Sequence, residues 1–355
     1  MSHESRLFEL IERIASVDPA GEDRAWERLD SLTKPPRSLG RLEEVAARVS
    51  MVQGTDRPRV EKKVVLLMAG DHGVVDEGVA LFPQEVTWQM VANFTAGGAA
   101  INQICRSVGA DVRVHDVGVA KDLEGAPGIE HVKVGYGTAN MAVGPAMTRE
   151  QCAEAMLVGV EAARRAASEG YTLLAIGEMG IGNTTSASAL TAAFNGADIP
   201  TIVGPGTGST DEIRAKKIDA IERALAVNDV ANQDPFGVLA AVGGYEIAAM
   251  AGAVIGAAIE GVCIISDGVI SGSAALSALR IAPAVRPYLF PSHCSMEPAH
   301  EVLLGAMDLE PLLRLDMRLG EGTGAAVAMG IVDAACEMMS GMATFAEAGV
   351  SGSDA

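Results

Sequence analysis

The chain has 355 residues, of which 49% are hydrophobic, 21% charged and only 4% aromatic. Its core must therefore be aliphatic, and disorder is excluded as the dominant state. Lys and Arg number 27 against 46 Asp and Glu, a net charge of −19, which excludes a nucleic-acid-binding surface and leaves any anionic ligand to be caught by local groups.

In chain order, residues 4–16, 21–32 and 40–52 are predicted helices. The opening residues carry Glu4, Arg6, Glu9, Glu12 and Arg13 among apolar positions, unlike a secretory or transit leader, so a cytoplasmic location is expected. Residues 34–39 form a stiff basic turn around Pro35 and Pro36. It either starts the next helix or offers Lys34 and Arg37 to a ligand.

From residue 64 onward, short β-rich runs end in Gly-containing turns that lead into Ala-rich helical segments, the rhythm of a parallel α/β sheet. The predicted strands are 64–68, 112–117, 172–176, 201–203, 262–265 and 312–315. Most are almost wholly apolar, as suits strands covered by helices on both faces. The longest apolar run, 247–259, is closed by Glu246 and Glu260 and falls short of the roughly 20 residues that span a bilayer. Residues 324–342 read as helix, so the two ends, 1–60 and 326–355, are expected to meet in a small helical subdomain beside a large α/β domain, 61–325. Cys105, Cys152, Cys263, Cys294 and Cys336 are scattered and form no CxxC pair, which argues against a disulfide framework or a zinc site.

In open parallel sheets ligands lie beyond the carboxyl ends of the strands. The loops there are glycine-rich: AGDHG at 69–73, GEMGIGNTT at 177–185, GPGTG at 204–208 with Lys216 and Lys217 beyond it, and DMRLGEGTG at 316–324. Glycines let backbone N–H groups approach a phosphate closely, and a following helix start adds its positive end. The alternative is that they only make tight strand-to-helix turns. Residues 204–208 lack the P-loop spacing, and no GxGxxG with a downstream acid follows the first strand. No Asp-Asp pair offers to hold magnesium for a diphosphate-activated ribose, so a mechanism without metal or cofactor is expected.

Glu321 lies between Gly320 and Gly322, and Glu178 between Gly177 and Met179. A carboxylate in a tight, partly desolvated turn has a raised pKa and can serve as general base, worth about 10²–10⁴-fold in rate. The alternative for each is an acid favoured near a helix start. His72, His293 and His300, with Asp71 and Glu297, match no metal-ligand spacing. Residues 292–295 lack a GxSxG elbow, so Ser295 reads as a hydrogen-bond donor. Phe82, Trp88 and Gln89 put aromatics and an amide near the first loop, suited to an aromatic base or to core packing.

Seven motifs in order, KPPRSLGRLE (34–43), AGDHGV (69–74), FPQEVT (82–87), GEMGIGNTT (177–185), GPGTG (204–208), GGYEIAAMAG (243–252) and LRLDMRLGEGTGA (313–325), resemble the nicotinate-nucleotide:dimethylbenzimidazole phosphoribosyltransferases of cobalamin biosynthesis. The resemblance covers nearly the whole chain. It implies a Rossmann-like, mostly parallel sheet with helices on both faces, a small helical subdomain from both termini, and a homodimer with active sites near the subunit interface. It implies transfer of phosphoribose from nicotinate mononucleotide to 5,6-dimethylbenzimidazole, with inversion at C1′ and no cofactor. Glu321 matches the family's catalytic base and Glu178 a second acid in the cleft. Gly180, Lys217 and Ser295 match positions near the nucleotide phosphate, with Gly206 and Gly208 as further substrate contacts. Phe82, Gln89 and Leu319 match the wall around the aromatic base. Ala299 departs from the family, which has glycine there. The alternatives are transfer to other bases, such as adenine or phenols, and a non-catalytic nucleotide-binding protein.

Overall fold

The computed structural model describes residues 1–204 and 210–351. Helices α1 (His3–Ile11), α2 (Ala20–Ser31) and α3 (Arg41–Gln53) precede β1 (Lys63–Gly70). The chain then runs through α4 (Glu85–Thr95) and α5 (Ala100–Val108) to β2 (Ala110–Gly118) and the short β3 (Ile129–His131). Helix α6 (Arg149–Ser168) returns it to β4 (Leu173–Met179). Between β4 and β5 (Cys263–Ser266) lie α7 (Asn183–Asn195), α8 (Ile199–Ile202), α9 (Asp211–Val227), α10 (Pro235–Val242) and α11 (Tyr245–Ile259). Helix α12 (Val269–Ile281) leads to β6 (Leu289–Pro291), and α13 (Pro298–Met307), α14 (Thr323–Gly341) and α15 (Phe345–Ala348) follow.

Every strand pairing is parallel, in the order β3-β2-β1-β4-β5-β6. The winding reverses between β1 and β4, and a ligand crevice is expected just outside their carboxyl ends. Side chains alternate across β1: Val64, Leu66 and Met68 join the core under α6, α11 and α12, whereas Val65, Leu67 and Ala69 join the core under α3, α5 and α14. Both faces are covered, which is why the central strands read as unbroken apolar runs.

A core so poor in aromatics is filled by close helix approach. Where α6 crosses α11, a Cβ added to Gly159 would lie 1.7 Å from the Ala249 carbonyl oxygen, so the backbones touch and dispersion contacts replace large side chains. No helix among the described residues is long and apolar enough to cross a membrane; the apolar run at 247–259 is the buried α11.

Helices α2 and α3 pack with α14 on one face of the sheet, and a bridge between Leu32 and Thr344 ties the two ends of the chain. Helix α1 packs on α6 across the sheet, with Leu7 in that other core. Within the basic turn Lys34 points inward: its Nζ donates to Glu43 Oε2 at 2.6 Å, with the side chains 6% and 0% exposed. Arg37 stacks its guanidinium 3.5 Å from the Trp26 ring centroid and pairs with Asp30. Both cations are thus taken up by the helical layer.

Two predicted strands are corrected. Residues 201–203 belong mostly to α8, because the Asp198 side chain caps Thr201 N–H and Pro200 sits in the first turn, both helix-starting features. Residues 312–315 form no strand; Leu313 makes only an isolated bridge with His293. The sixth strand is β6, an edge strand closed by Pro291, and proline is tolerated in a sheet at such edges. The opposite edge, β3, is a three-residue strand, IEH, too short and polar to give a strand signal.

Candidate active site

The carboxyl ends of β1, β4 and β5 and the segments after β6 enclose a cleft of about 920 Å³ counted out to its mouth. Glu178, Asp267, Gly320 and Leu319 line it together with Gly180, Thr184, Lys217, Ser295 and Glu297, and Phe82 and Arg318 complete the walls.

The two acids singled out in the sequence meet where the backbone of one bonds to the side chain of the other. Gly320, Glu321 and Gly322 adopt successive left-handed conformations, with φ of 87°, 63° and 82°. For a glutamate this conformation is strained and held by its surroundings. The Glu321 N–H donates to Glu178 Oε1 at 3.3 Å. Asn183 Nδ2 donates to Glu178 Oε2. A Cβ on Gly320 would fall 2.3 Å from Glu178 Oε1, so only glycine lets the loops nest.

Burial pushes the Glu178 carboxyl up to about 8, and the nearby charges of Asp267 and Glu246 push the same way. At neutral pH it carries a proton. Glu321 is 7% exposed and sits one residue behind the lining Gly320. Burial raises its pKa above the usual carboxylate range, while the Ile101 N–H draws it down. Its Oε2 has no hydrogen-bond partner among the described residues. Asp267, directly after β5, receives the N–H groups of Gly322 and Ala325 at 3.0 Å each. It holds the start of α14, and hence the Glu321 bend, although burial raises its carboxyl to about 7.

Thr184 and Lys217, in contact within the cleft, suit an anion. Gly182, whose φ of 98° turns the chain sharply, caps the start of α7; Gly182 and Thr184 line the cleft, which brings the positive end of that helix to the site, while the Asn183 and Thr185 N–H groups are taken by the Gly180 and Gly182 carbonyls. Lys217, from α9, donates to Thr184 Oγ1 at 3.3 Å. Burial lowers its pKa, and the carboxylate of Glu297 acts in the opposite direction. The Ser295 N–H donates to His300 Nδ1 at 2.9 Å, which orients that wall. At the mouth, Phe82 and Leu319 are more than half exposed and apolar, suited to a flat ring.

Glu178, Gly180, Lys217, Ser295, Phe82 and Leu319 are thus brought together around one cleft; Glu321 does not line it and is joined to it through its N–H bond to Glu178. Gln89 is exposed on α4 and does not line it. Gly206 and Gly208 lie outside the described residues. Ala299 is buried in the first turn of α13. Sequence reasoning missed Asp267 and Arg318 as site residues. Asp267 had a signal, an acid and a glycine directly after the apolar run of β5; Arg318 stood inside a quoted motif with nothing to separate it from a surface charge.

A family model described as a phosphoribosyltransferase matches residues 14–350. The nicotinate-nucleotide–dimethylbenzimidazole phosphoribosyltransferase of Geobacter sulfurreducens is 49% identical over 348 residues, covering 98% of this chain and 99% of its own. The enzyme of the same name from Chloroflexus aggregans is 49% identical over 347 residues, covering 98% of each chain. The crystal structure of CobT from Thermus thermophilus matches with a TM-score of 0.91 at 50% identity, covering 94% of this chain and 100% of that one. Near-complete coverage at this identity makes the conclusion plain: the chain belongs to the nicotinate-nucleotide–dimethylbenzimidazole phosphoribosyltransferase family.

Proposed function

We propose that the protein transfers phosphoribose from nicotinate mononucleotide to 5,6-dimethylbenzimidazole, releasing nicotinate and α-ribazole 5′-phosphate, in cobalamin biosynthesis. The donor's ring nitrogen is cationic, so when its bond to C1′ breaks the electron pair returns to a neutral ring and no acid is required. One nitrogen of the acceptor attacks C1′ from the opposite face, inverting it, while the other nitrogen's proton passes to the Glu321 carboxylate. Protonated Glu178 offers a hydrogen bond without a second negative charge. The start of α7, Lys217 and Ser295 hold the 5′-phosphate, and Phe82 and Leu319 flank the acceptor ring. Holding both partners in line supplies much of the remaining acceleration.

The observation that carries this reading is the Glu321 carboxylate: a buried oxygen without a hydrogen-bond partner among the described residues, in a strained bend whose N–H donates to Glu178. In a nicotinate-release assay, turnover must depend on both substrates, and Glu321→Gln must lower kcat by about 10²–10⁴-fold with an unchanged melting profile. A folded Glu321→Gln variant with full activity refutes the base assignment. We further read the protein as a cytoplasmic homodimer. Exposed Leu81, Phe82, Leu315 and Leu319 support a partner covering the cleft rim, and sedimentation of a monomer at micromolar concentration overturns it.

A further inference from the structure

Behind the cleft floor, three buried side chains form a row that the transfer chemistry does not use. His72, just beyond β1, points Nε2 at Glu246 Oε1, 2.6 Å away, and Nδ1 at Ser186 Oγ, 3.1 Å away. Glu246 belongs to the first turn of α11 and Ser186 to the first turns of α7. The row has the composition of a hydrolase triad, yet none of its members is more than 1% exposed, and the serine hydroxyl donates to Met141 Sδ at 3.7 Å. A hydroxyl sealed from the cleft is no nucleophile.

The 2.6 Å approach of Nε2 to Glu246 Oε1 has the geometry of a buried ion pair. Glu246 needs the cation of that pair. Its Oε2 has no other partner among the described residues, and its carboxylate sits directly behind the lining Gly180: a Cβ there would lie 3.3 Å from Glu246 Oε1, and one on Gly70 would lie 3.0 Å from Oε2. Asp71, Glu178 and Asp267 are buried around the same floor. An uncompensated Glu246 would set an anion beneath a site that must accept a phosphate, in a medium where charges are weakly screened.

We propose that His72 is a positioning residue for donor binding: its cationic ring neutralises Glu246 behind Gly180 and ties α7 to β1, so that the start of α7 can receive the phosphate. This rests on the reading above that the phosphate binds there.

Inorganic phosphate serves as a probe independent of turnover, read as the rise in Tm it produces. His72→Gln weakens this phosphate response and raises KM for nicotinate mononucleotide, each by about tenfold or more, since a buried anion is left unpaired, while KM for dimethylbenzimidazole is unchanged. The double variant His72→Gln/Glu246→Gln recovers phosphate affinity to near the wild-type value, and Glu246→Gln alone retains it. A double variant as weak as His72→Gln, or a parallel rise in both KM values, overturns the proposal. Should His72→Gln fail to fold, Glu246→Gln carries the test, and a tenfold loss of phosphate affinity there is equally fatal. If the wild-type protein responds to phosphate as described but releases no nicotinate, the transfer reading falls and the charge compensation stands.

Discussion

Replacing Glu178 by Gln tests the electrostatics of the cleft through stability alone. The folded-state pKa, raised from 4.5 to about 8 mainly by burial, exceeds the unfolded value, so the native protein keeps a proton that the unfolded chain releases across this window. Stability is therefore fully present below about pH 4.5 and is lost as pH rises toward about 8. Within the window this group costs about 1.4 kcal/mol per pH unit, up to about 5 kcal/mol in all. Unfolding entropy near 2.1 cal/mol/K per residue, taken over 355 residues, converts each pH unit into about 2 °C of Tm. Gln cannot ionise and keeps an oxygen to accept the Glu321 N–H, so its variant lacks this contribution. Scanning calorimetry of ligand-free wild-type and Glu178→Gln protein from pH 5 to 8 should show Tm profiles that diverge by about 5–6 °C, the variant gaining on the wild type as pH rises. Parallel profiles, or a wild type that gains on the variant toward pH 8, refute the reasoning. The same argument makes kcat/KM decline above about pH 8, where Glu178 becomes a second anion beside the acceptor.

Lys217→Ala should raise KM for nicotinate mononucleotide by roughly 10–100-fold, the worth of a charged hydrogen bond of about 1.5–3 kcal/mol, and initial-rate kinetics with unchanged KM would remove Lys217 from the phosphate site. Gly320→Ala forces a Cβ to within 2.3 Å of Glu178 Oε1 at a φ of 87°. Its kcat should fall by about 10²-fold through displacement of the acid pair, and wild-type kinetics would show that the two loops need not nest. Lys34→Met strands the buried Glu43 charge and should cost about 3–5 kcal/mol, or about 4–7 °C of Tm, with kcat/KM unchanged at 25 °C. Lost activity in a folded Lys34→Met protein would mean that the basic turn serves the cleft after all.

How much of this was legible in the chain varies from element to element. Strands β1, β2, β4 and β5 and helices α2, α3 and α14 appear in the sequence because each is governed by local pattern: an apolar run buried on both faces, or an amphipathic stretch closed by a turn. Glu178 and Glu321 could be singled out for a similar local reason, acids placed where glycine bends the backbone. The edge strands β3 and β6 were hidden, one by its polarity and brevity and the other by flanking prolines, because an edge strand is chosen by an available neighbour more than by its own composition. Helix α8 went against the β-branched character of its residues because Asp198 and Pro200 decide the local backbone.

What the linear order could not disclose is which loops face one another. Glu178 and Glu321 bond across 143 residues, and His72 and Glu246 across 174. Lys34, readable as a cation for a ligand, is spent on Glu43; Asp267, unremarkable in its own segment, holds the bend that carries Glu321. Residue types and backbone bends are written locally, so the sequence alone could name the acids. Their protonation and mutual geometry arise from burial and from contacts that exist only once the parallel sheet aligns its strand ends, and these only the tertiary structure decides.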